Sequence, residues 1–235
     1  MKLKHYANLG VGDTLLNEEA WGSLRNNKKQ QSFYLPESKE DYNLLCNSDS
    51  SLILAADKIG EVFEQYKIKS VFSPGCGRAV LEFHLKQLKP HIHFVCADNS
   101  KMTVDRLKQV IPQCNPEDFD MLGGYWPTDH DLVLLNRIDA ELSDIELQDM
   151  FRAIFCSRVK YIMVILCEDV DFKLACTQYL VRVASFFRQT PLTYTGVLRS
   201  VKDFDMYQPW FKLLQSDKIN ENPVLVLVRR DEDEI

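Results

Sequence analysis

The sequence lacks the features that mark membrane-spanning, secreted and nucleic-acid-coating proteins. No apolar run reaches the roughly 18 residues that a membrane-spanning helix needs, and the first residues contain no apolar stretch like that of a secretory signal. The 28 lysines and arginines are outnumbered by 34 aspartates and glutamates, for a net charge of −6, whereas general binding to a phosphate backbone requires a basic surface. We therefore expect a cytoplasmic protein, and the charge disfavours a nucleic-acid partner.

Cysteine spacing gives no sign of a metal site or of a disulfide framework. The seven cysteines are odd in number and contain no Cys-x-x-Cys pair, so a zinc site has no support. Cys96, Cys156 and Cys167 lie in or beside apolar stretches, as buried free thiols of a reducing compartment do. With 235 residues, of which 46% are hydrophobic and 26% charged, the chain can bury a full core without covalent staples.

The chain divides by pattern into an N-terminal extension and a core domain. Residues 1–50 are rich in polar side chains, and their aromatic residues follow neither helical nor strand spacing. We predict that this extension packs on the core domain as a lid over the acceptor side of a site; the alternatives are that it covers an outer helix or makes dimer contacts. Residues 51–230 form the predicted core domain, and residues 231–235 form an acidic tail in solvent.

Strand patterns alternate with helix patterns throughout the core domain. Short apolar runs predict strands at residues 69–73, 91–97, 131–136, 161–166, 193–198 and 224–228. Apolar residues at helical spacing predict helices at residues 50–66, 79–88, 100–111, 143–155 and 172–187. This alternation predicts an α/β fold with a mainly parallel sheet and helices on both faces. In such sheets ligands bind at the carboxyl ends of the strands, near the point where the strand order reverses.

A glycine-containing loop connects the first predicted core strand to the helix that follows it. Gly75 and Gly77 permit a sharp turn and the close approach of a ligand, because they carry no Cβ. Asp98 ends the next predicted strand, about 20 residues further on, where a carboxylate can accept hydrogen bonds from both hydroxyls of a ribose. The spacing indicates a nucleotide site; the alternative is an ordinary turn followed by an aspartate that caps a helix.

Two classes of cofactor share this arrangement. A dinucleotide site requires Gly-x-Gly-x-x-Gly, but Val80 occupies the third glycine position. A dinucleotide loop also usually lies near the start of its domain, whereas here a predicted helix precedes the first core strand. An oxidoreductase that uses NAD or NADP is therefore the less favoured enzyme.

With these residues the chain resembles the class I methyltransferases that use S-adenosylmethionine. The run Val71-Phe72-Ser73-Pro74-Gly75-Cys76-Gly77-Arg78-Ala79 is similar to the first motif of that family, with Ser73 where an acid is usual and Ala79 in place of the last glycine. The resemblance spans residues 50–228 and implies a Rossmann-like, seven-stranded, mainly parallel sheet with a late antiparallel strand at residues 224–228. It also implies S-adenosylmethionine as the cofactor and S-adenosylhomocysteine as its product.

The resemblance also supplies candidate cofactor-binding residues. It implies that Asp98 binds the ribose and that Asn136, at the end of the fourth strand, faces the methyl donor. Asp120 is the nearest candidate for the acid beside the adenine, and Met121 and Leu122 could instead enclose the ring. The full set of predicted cofactor-binding residues is Ser73, Gly75, Cys76, Gly77, Asp98, Asn99, Met102, Asp120, Met121 and Asn136.

Candidate catalytic residues follow the fourth core strand. Methyl transfer depends mainly on holding donor and acceptor in line, and it needs a base only when the acceptor must lose a proton. No histidine lies at a suitable strand end. Asp139 is the predicted base or orienting carboxylate, and Arg137 could pair with an acidic acceptor. The alternative is that Asp139 and Glu141 only form the acidic start of a helix. Glu168 and Asp169 are a second carboxylate pair at the same edge.

The sequence therefore predicts a methyltransferase that acts on a small or medium-sized acceptor. The departures at Ser73 and Ala79 keep one non-enzymatic alternative open, namely a methyltransferase-like scaffold that binds a partner or senses the cofactor. The sequence indicates neither the acceptor nor which kind of atom is methylated.

Overall fold

A seven-stranded sheet lies at the centre of the computed structural model, which describes residues 2–7, 18–48, 50–168, 170–189, 192–207, 209–219 and 221–230. Across the sheet the strands follow in the order β4 (Glu117–Asp118), β3 (His93–Asp98), β2 (Ser70–Pro74), β5 (Leu132–Asn136), β6 (Tyr161–Ile165), β9 (Asn222–Arg229) and β8 (Phe211–Ile219). A separate two-stranded sheet pairs β1 (Leu3–Ala7) with β7 (Thr193–Leu198).

The direction and order of the strands confirm the predicted fold class. β4, β3, β2, β5 and β6 pair in parallel, whereas β9 is antiparallel to both β6 and β8. The late antiparallel strand is therefore where the sequence placed it. The strand order reverses between β2 and β5, because the chain runs outward to β3 and β4 before it returns to β5. A ligand is expected beyond the carboxyl ends of β2 and β5.

Helices cover both faces of this sheet. α3 (Ser50–Gln65), α4 (Val80–Leu88) and α5 (Lys101–Val110) bury apolar side chains on one face, and α6 (Asp144–Cys156) does so on the other. Polar caps mark two of the predicted helix starts. Ser100 Oγ accepts a hydrogen bond from the Thr103 amide at 3.4 Å, and Ser143 forms a reciprocal capping box with Glu146.

Two late strands depart from the prediction. β7 was expected in the main sheet but pairs with β1 outside it. β8 was not predicted, because its side chains are mostly exposed and only Phe211 and Ile219, at its two ends, are buried. A strand with so little burial lacks the apolar alternation from which strands are recognised.

The N-terminal extension is more regular than its aromatic spacing suggested. Besides β1, it contains the helices α1 (Glu18–Asn26) and α2 (Lys39–Ser48), which the spacing of its aromatic residues did not indicate. Trp21 lies on α1, and the fully buried Tyr42 lies on α2. Among the described side chains of these two helices, Leu24, Tyr42 and Cys46 are buried, which is too few for a long apolar pattern in the sequence. Asp169 and the acidic tail at residues 231–235 lie outside the described residues.

The long helix α7 (Phe172–Arg188) leaves most of its large apolar side chains in solvent. Phe172, Tyr179, Phe186 and Phe187 are 82%, 68%, 79% and 77% exposed. Gln178 is the buried residue of this helix. Among the described residues, no helix combines the length and apolar character required to span a membrane.

Candidate active site

The glycine-containing loop lies at the carboxyl end of β2, where the strand order reverses. Gly75, Gly77 and Ala79 have φ values of 64°, 57° and 50°. Glycine adopts this left-handed conformation without strain, whereas alanine does not. Ala79 therefore keeps the backbone shape of a glycine at the position where the family motif has one. The Cys76 amide donates to the Ala97 carbonyl at 3.0 Å and ties the loop to β3.

Asp98, at the end of β3, is bonded to this loop. Its Oδ2 accepts a hydrogen bond from the Gly77 amide at 3.0 Å, and its Oδ1 accepts one from the Ser100 amide at 3.0 Å. Burial raises the pKa of the Asp98 carboxyl, while the Ser100 amide and the positive charge of Arg25 oppose the rise. The structure thus brings together the two residues that the sequence singled out.

Both glycines are contacted where a Cβ would lie. A Cβ on Gly75 would be 2.9 Å from Ile138 Cγ2 and 2.9 Å from Met121 Cε. A Cβ on Gly77 would be 2.5 Å from Arg25 Nη2. Larger residues would therefore collide with these side chains and also adopt an unfavourable φ. Three separate segments of the chain, one of them the N-terminal extension, converge on the loop.

A buried carboxylate, Glu82, lies next to Ser73 at the end of β2, where the loop begins. Ser73 and Glu82 are both 0% exposed, and the Ser73 hydroxyl donates to Glu82 Oε1 at 2.7 Å. Glu82 Oε2 has no hydrogen-bond partner among the described residues. Burial raises the pKa of Glu82, and the Ser73 hydroxyl and the Asn136 side chain act in the opposite direction. The strand end that lacks the family's usual acid therefore has a carboxylate beside it, supplied by α4.

Residues of the N-terminal extension lie against the Gly75–Gly77 loop. The Arg25 guanidinium lies 5.0 Å from the centroid of the Trp21 ring, and its Nη1 donates to the Phe33 carbonyl at 3.2 Å. The Trp21 and Phe33 rings pack edge to face at 5.6 Å. Tyr42 Oη donates to the Arg78 carbonyl at 2.7 Å, so α2 also contacts the loop.

Glu141 joins the extension to the segment that follows β5. Its Oε2 accepts a hydrogen bond from Trp21 Nε1 at 3.2 Å. Burial raises the pKa of Glu141 to about 7, with the Trp21 hydrogen bond and the positive charge of Arg25 opposing the rise. The negative charge of Asp98 raises it further. Near neutral pH this carboxyl is divided between its two protonation states, so it can both accept and donate a proton.

The two residues of the predicted catalytic pair differ in exposure. Asp139 is 2% exposed and accepts a hydrogen bond from the Cys167 amide at 3.0 Å through Oδ1, while its Oδ2 has no partner among the described residues. Burial raises the pKa of Asp139. Arg137 is exposed, and its amide donates to the Ile165 carbonyl at 2.9 Å. Asp139 links the ends of β5 and β6, and its catalytic role stays a prediction.

A buried arginine fixes the segment after β5. Arg199, which is 2% exposed, donates through Nη1 to the Asp139 carbonyl and through Nη2 to the Leu142 carbonyl at 2.6 Å. The backbone of β7 approaches so closely that a Cβ on Gly196 would overlap the Ala140 carbonyl oxygen. The small β1–β7 sheet therefore positions the carboxylates that follow β5.

The remaining predicted cofactor residues lie along the same edge of the sheet. Asn99 and Asp120 are exposed, whereas Met102, Met121 and Asn136 are partly buried. Their predicted contacts with a cofactor stay predictions. The neighbours that sequence reasoning missed include two charged side chains, Glu82 and Arg25. Glu82 had a signal, because it is the one acid in the apolar run at the start of α4, but Arg25 had none.

The histidines occur in different parts of the fold. His5 belongs to β1 and contacts the Thr195 hydroxyl, and His84 Nε2 lies 3.1 Å from the Cys46 carbonyl oxygen. His93 and His130 stack on each other with ring centroids 5.9 Å apart, where β3 and β5 begin.

The loop and its neighbours suit a nucleoside ligand that carries charges of both signs. Two left-handed glycines form the cradle, Asp98 offers an acceptor for hydroxyl groups, and Arg25 supplies a positive charge above Gly77. The Nε atom of Arg25 is buried and has no hydrogen-bond partner among the described residues. The donor set therefore fits a ligand with an anionic group as well as a ribose.

Comparison with solved structures identifies the fold. Human N-acetylserotonin methyltransferase, solved with S-adenosylmethionine, matches 92% of this chain and 60% of its own, with a TM-score of 0.61 and 16% identity. Magnesium protoporphyrin IX methyltransferase from Synechocystis, solved with bound S-adenosylhomocysteine, matches 77% of this chain and 84% of its own, with a TM-score of 0.58 and 13% identity. The chain has the fold of class I methyltransferases, so the resemblance noted in the sequence is confirmed at the level of the fold.

Comparison by sequence adds one short match. The ribosomal RNA large subunit methyltransferase G of Shewanella woodyi is 32% identical over 92 residues, which is 37% of this chain and 22% of that protein. No protein-family model matches the chain. The chain spans about a fifth of this curated relative's length, and the match does not establish an acceptor.

Proposed function

We propose that the protein is an S-adenosylmethionine-dependent methyltransferase that acts on a small or medium-sized acceptor in the cytoplasm. The observation that carries the proposal is the bond from the left-handed Gly77 to Asp98, at the point where the strand order reverses. A loop that permits close approach, next to a carboxylate at the end of the second core strand, suits a nucleoside. The methyltransferase fold supports the same conclusion.

The cofactor supplies a methyl group that its positively charged sulfur has already activated. The chain must therefore bind the cofactor, orient the acceptor in line and exclude water. We propose that Asp98 binds the ribose hydroxyls, that Met121 and Asp120 lie beside the adenine, and that Ser73 acts on the amino-acid end through Glu82. The other contacts are assigned to Gly75, Cys76, Gly77, Asn99, Met102 and Asn136.

Glu141 is the proposed proton acceptor for an acceptor group that must be deprotonated. The hydrogen bond from Trp21 Nε1 fixes Glu141 Oε2 in place. The pKa of about 7 leaves much of the carboxyl ionised at neutral pH. Asp139 is the second candidate, but its Oδ1 is engaged by the Cys167 amide. Arg137 remains the proposed partner for an acidic acceptor, because it is exposed at the end of β5.

The surroundings of Glu141 favour a small acceptor. Trp21 bonds to Glu141, and Phe33 packs against Trp21. Both belong to the N-terminal extension, which we propose acts as a lid over the acceptor. The net charge of −6 disfavours a long phosphate backbone. The match to a ribosomal RNA methyltransferase makes RNA the second candidate.

Calorimetric titration with S-adenosylmethionine, S-adenosylhomocysteine and NAD is the first test. We expect the protein to bind both adenosyl ligands and not to bind NAD. Binding of NAD alone would instead indicate an oxidoreductase. Transfer of a labelled methyl group is then measured on separate pools of small metabolites and of RNA. Label in the RNA pool alone would contradict a small acceptor. Cofactor binding without transfer to either pool would favour a scaffold or sensor.

A further inference from the structure

We propose that Arg25, on the N-terminal extension, binds the carboxylate at the amino-acid end of the cofactor. This inference rests on the proposed function, because it assumes that the cofactor lies on the Gly75–Gly77 loop. It assigns to the extension a direct role in cofactor binding, in addition to its proposed role as a lid over the acceptor.

The position of Arg25 is the first argument. Its Nη2 lies 2.5 Å from the place that a Cβ of Gly77 would occupy, so the guanidinium lies directly over the glycine whose amide bonds to Asp98. Trp21 supports it from α1, with the guanidinium 5.0 Å from the ring centroid. Since Trp21 also bonds to Glu141, the arginine is held between the loop and the segment after β5.

The unmet hydrogen-bonding capacity of Arg25 is the second argument. A guanidinium has five N–H donors, and Arg25 donates through Nη1 to the Phe33 carbonyl, whereas its Nε is buried without a partner among the described residues. Asp98 and Glu141 are near enough to favour its charged form, but among the described residues neither forms an ion pair with it. Burying a guanidinium N–H without an acceptor is unfavourable. A ligand carboxylate would provide two acceptor oxygens in the geometry that a guanidinium prefers.

The chemistry of the ligand agrees with this arrangement. The cofactor carries a single carboxylate together with a positively charged amine and sulfur. Arg25 lies near the acidic groups Asp98 and Glu141, so charges of both signs are available to such a ligand beside the loop. The alternative is that Arg25 blocks the loop and must leave before the cofactor binds.

A pair of ligands that differ only in the carboxylate tests the assignment. Affinities of S-adenosylmethionine and of decarboxylated S-adenosylmethionine are measured by calorimetry for the wild-type protein, Arg25→Ala and Arg25→Lys. Arg25→Ala should weaken S-adenosylmethionine binding about tenfold to hundredfold and leave the affinity for the decarboxylated ligand within about twofold of wild type. Arg25→Lys should give an intermediate loss, because a lysine keeps the charge but not the paired donors.

The control variant is Lys29→Ala, which removes an exposed positive charge from the same extension and should change neither affinity. Equal losses for both ligands in Arg25→Ala would show a structural role and overturn the inference. Tighter binding of both ligands would show that Arg25 blocks the loop, and would also overturn it. Failure of the wild-type protein to bind either ligand would instead refute the proposed function, and the inference with it.

Discussion

Replacing Glu141 with glutamine is expected to stabilise the protein at neutral and alkaline pH and to slow methyl transfer. Burial raises the pKa of this carboxyl from an ordinary value of 4.5 to about 7. Between pH 4.5 and about 7, Glu141 is therefore protonated in the folded state but ionised in the unfolded state. Stability attributable to Glu141 is fully present below pH 4.5 and is lost as the pH rises through about 7. Glutamine mimics the protonated carboxyl at every pH, so the variant avoids this loss.

The magnitude follows from the size of the pKa change. At about 1.4 kcal/mol per pKa unit, a rise from 4.5 to about 7 corresponds to about 3 kcal/mol. Integrated over the titration, the advantage of the variant in free energy of unfolding is about 1 kcal/mol at pH 5 and about 3 kcal/mol at pH 8. Because the Trp21 indole can donate to the glutamine oxygen as it does to Glu141, the substitution preserves this contact.

Urea unfolding of the two proteins at pH 5, 6, 7 and 8 measures this difference directly. Glu146→Gln is the matched control, since hydrogen bonds from Ser143 lower the pKa of Glu146 and its variant should lose stability as the pH rises. A Glu141→Gln advantage that is equal at pH 5 and pH 8 would refute the reasoning. If Glu141 is also the proton acceptor, the variant should transfer methyl groups roughly a hundredfold or more slowly to acceptors that must lose a proton.

Three further substitutions test the cofactor loop. Asp98→Ala should weaken S-adenosylhomocysteine binding roughly tenfold to hundredfold in calorimetry, and unchanged affinity in a folded protein would contradict the ribose assignment. Gly77→Val should abolish that binding while the protein stays folded by circular dichroism, because valine would meet Arg25 and the left-handed backbone; retained binding would place the cofactor elsewhere. Ser73→Asp should weaken binding and lower the melting temperature, because Glu82 lies 2.7 Å from the serine hydroxyl and two buried carboxylates would repel; tighter binding would show that the loop needed the missing acid.

The parts of the fold that were predictable are those whose pattern comes from burial in the main sheet. The core of β5, from Leu132 to Leu135, is a continuous buried apolar run, as expected of a strand covered on both faces. β8 gave no such signal because most of its side chains face solvent. β7 was recognised as a strand, but its pairing with β1 is a long-range contact that no local pattern in residues 193–198 could specify.

The candidate site divides in the same way. The contact between Gly77 and Asp98 was predictable because it depends on the position of a turn and the end of a strand, both visible in the sequence. The positions of Arg25 and Glu141 beside the Gly75–Gly77 loop depend on packing between the N-terminal extension and the segment after β5, which no local sequence pattern specifies. Glu82 was partly visible, since an acid in an apolar run must either be exposed or find a buried partner.

The place of β9 in the sheet has a consequence for synthesis of the chain on the ribosome. β9 forms five residue pairs with β6, and, within the described part of the chain, β8 pairs in the sheet with β9 alone. β6 is an apolar strand that pairs with β5 along one edge. Its other edge therefore lacks a partner until residues 222–229 have left the ribosome. A nascent chain stopped before β9 would expose an open apolar edge, which is a template for association with other chains. Addition of β9 is thus the step that protects the sheet, and polypeptides truncated before this strand should depend strongly on chaperones to remain dispersed.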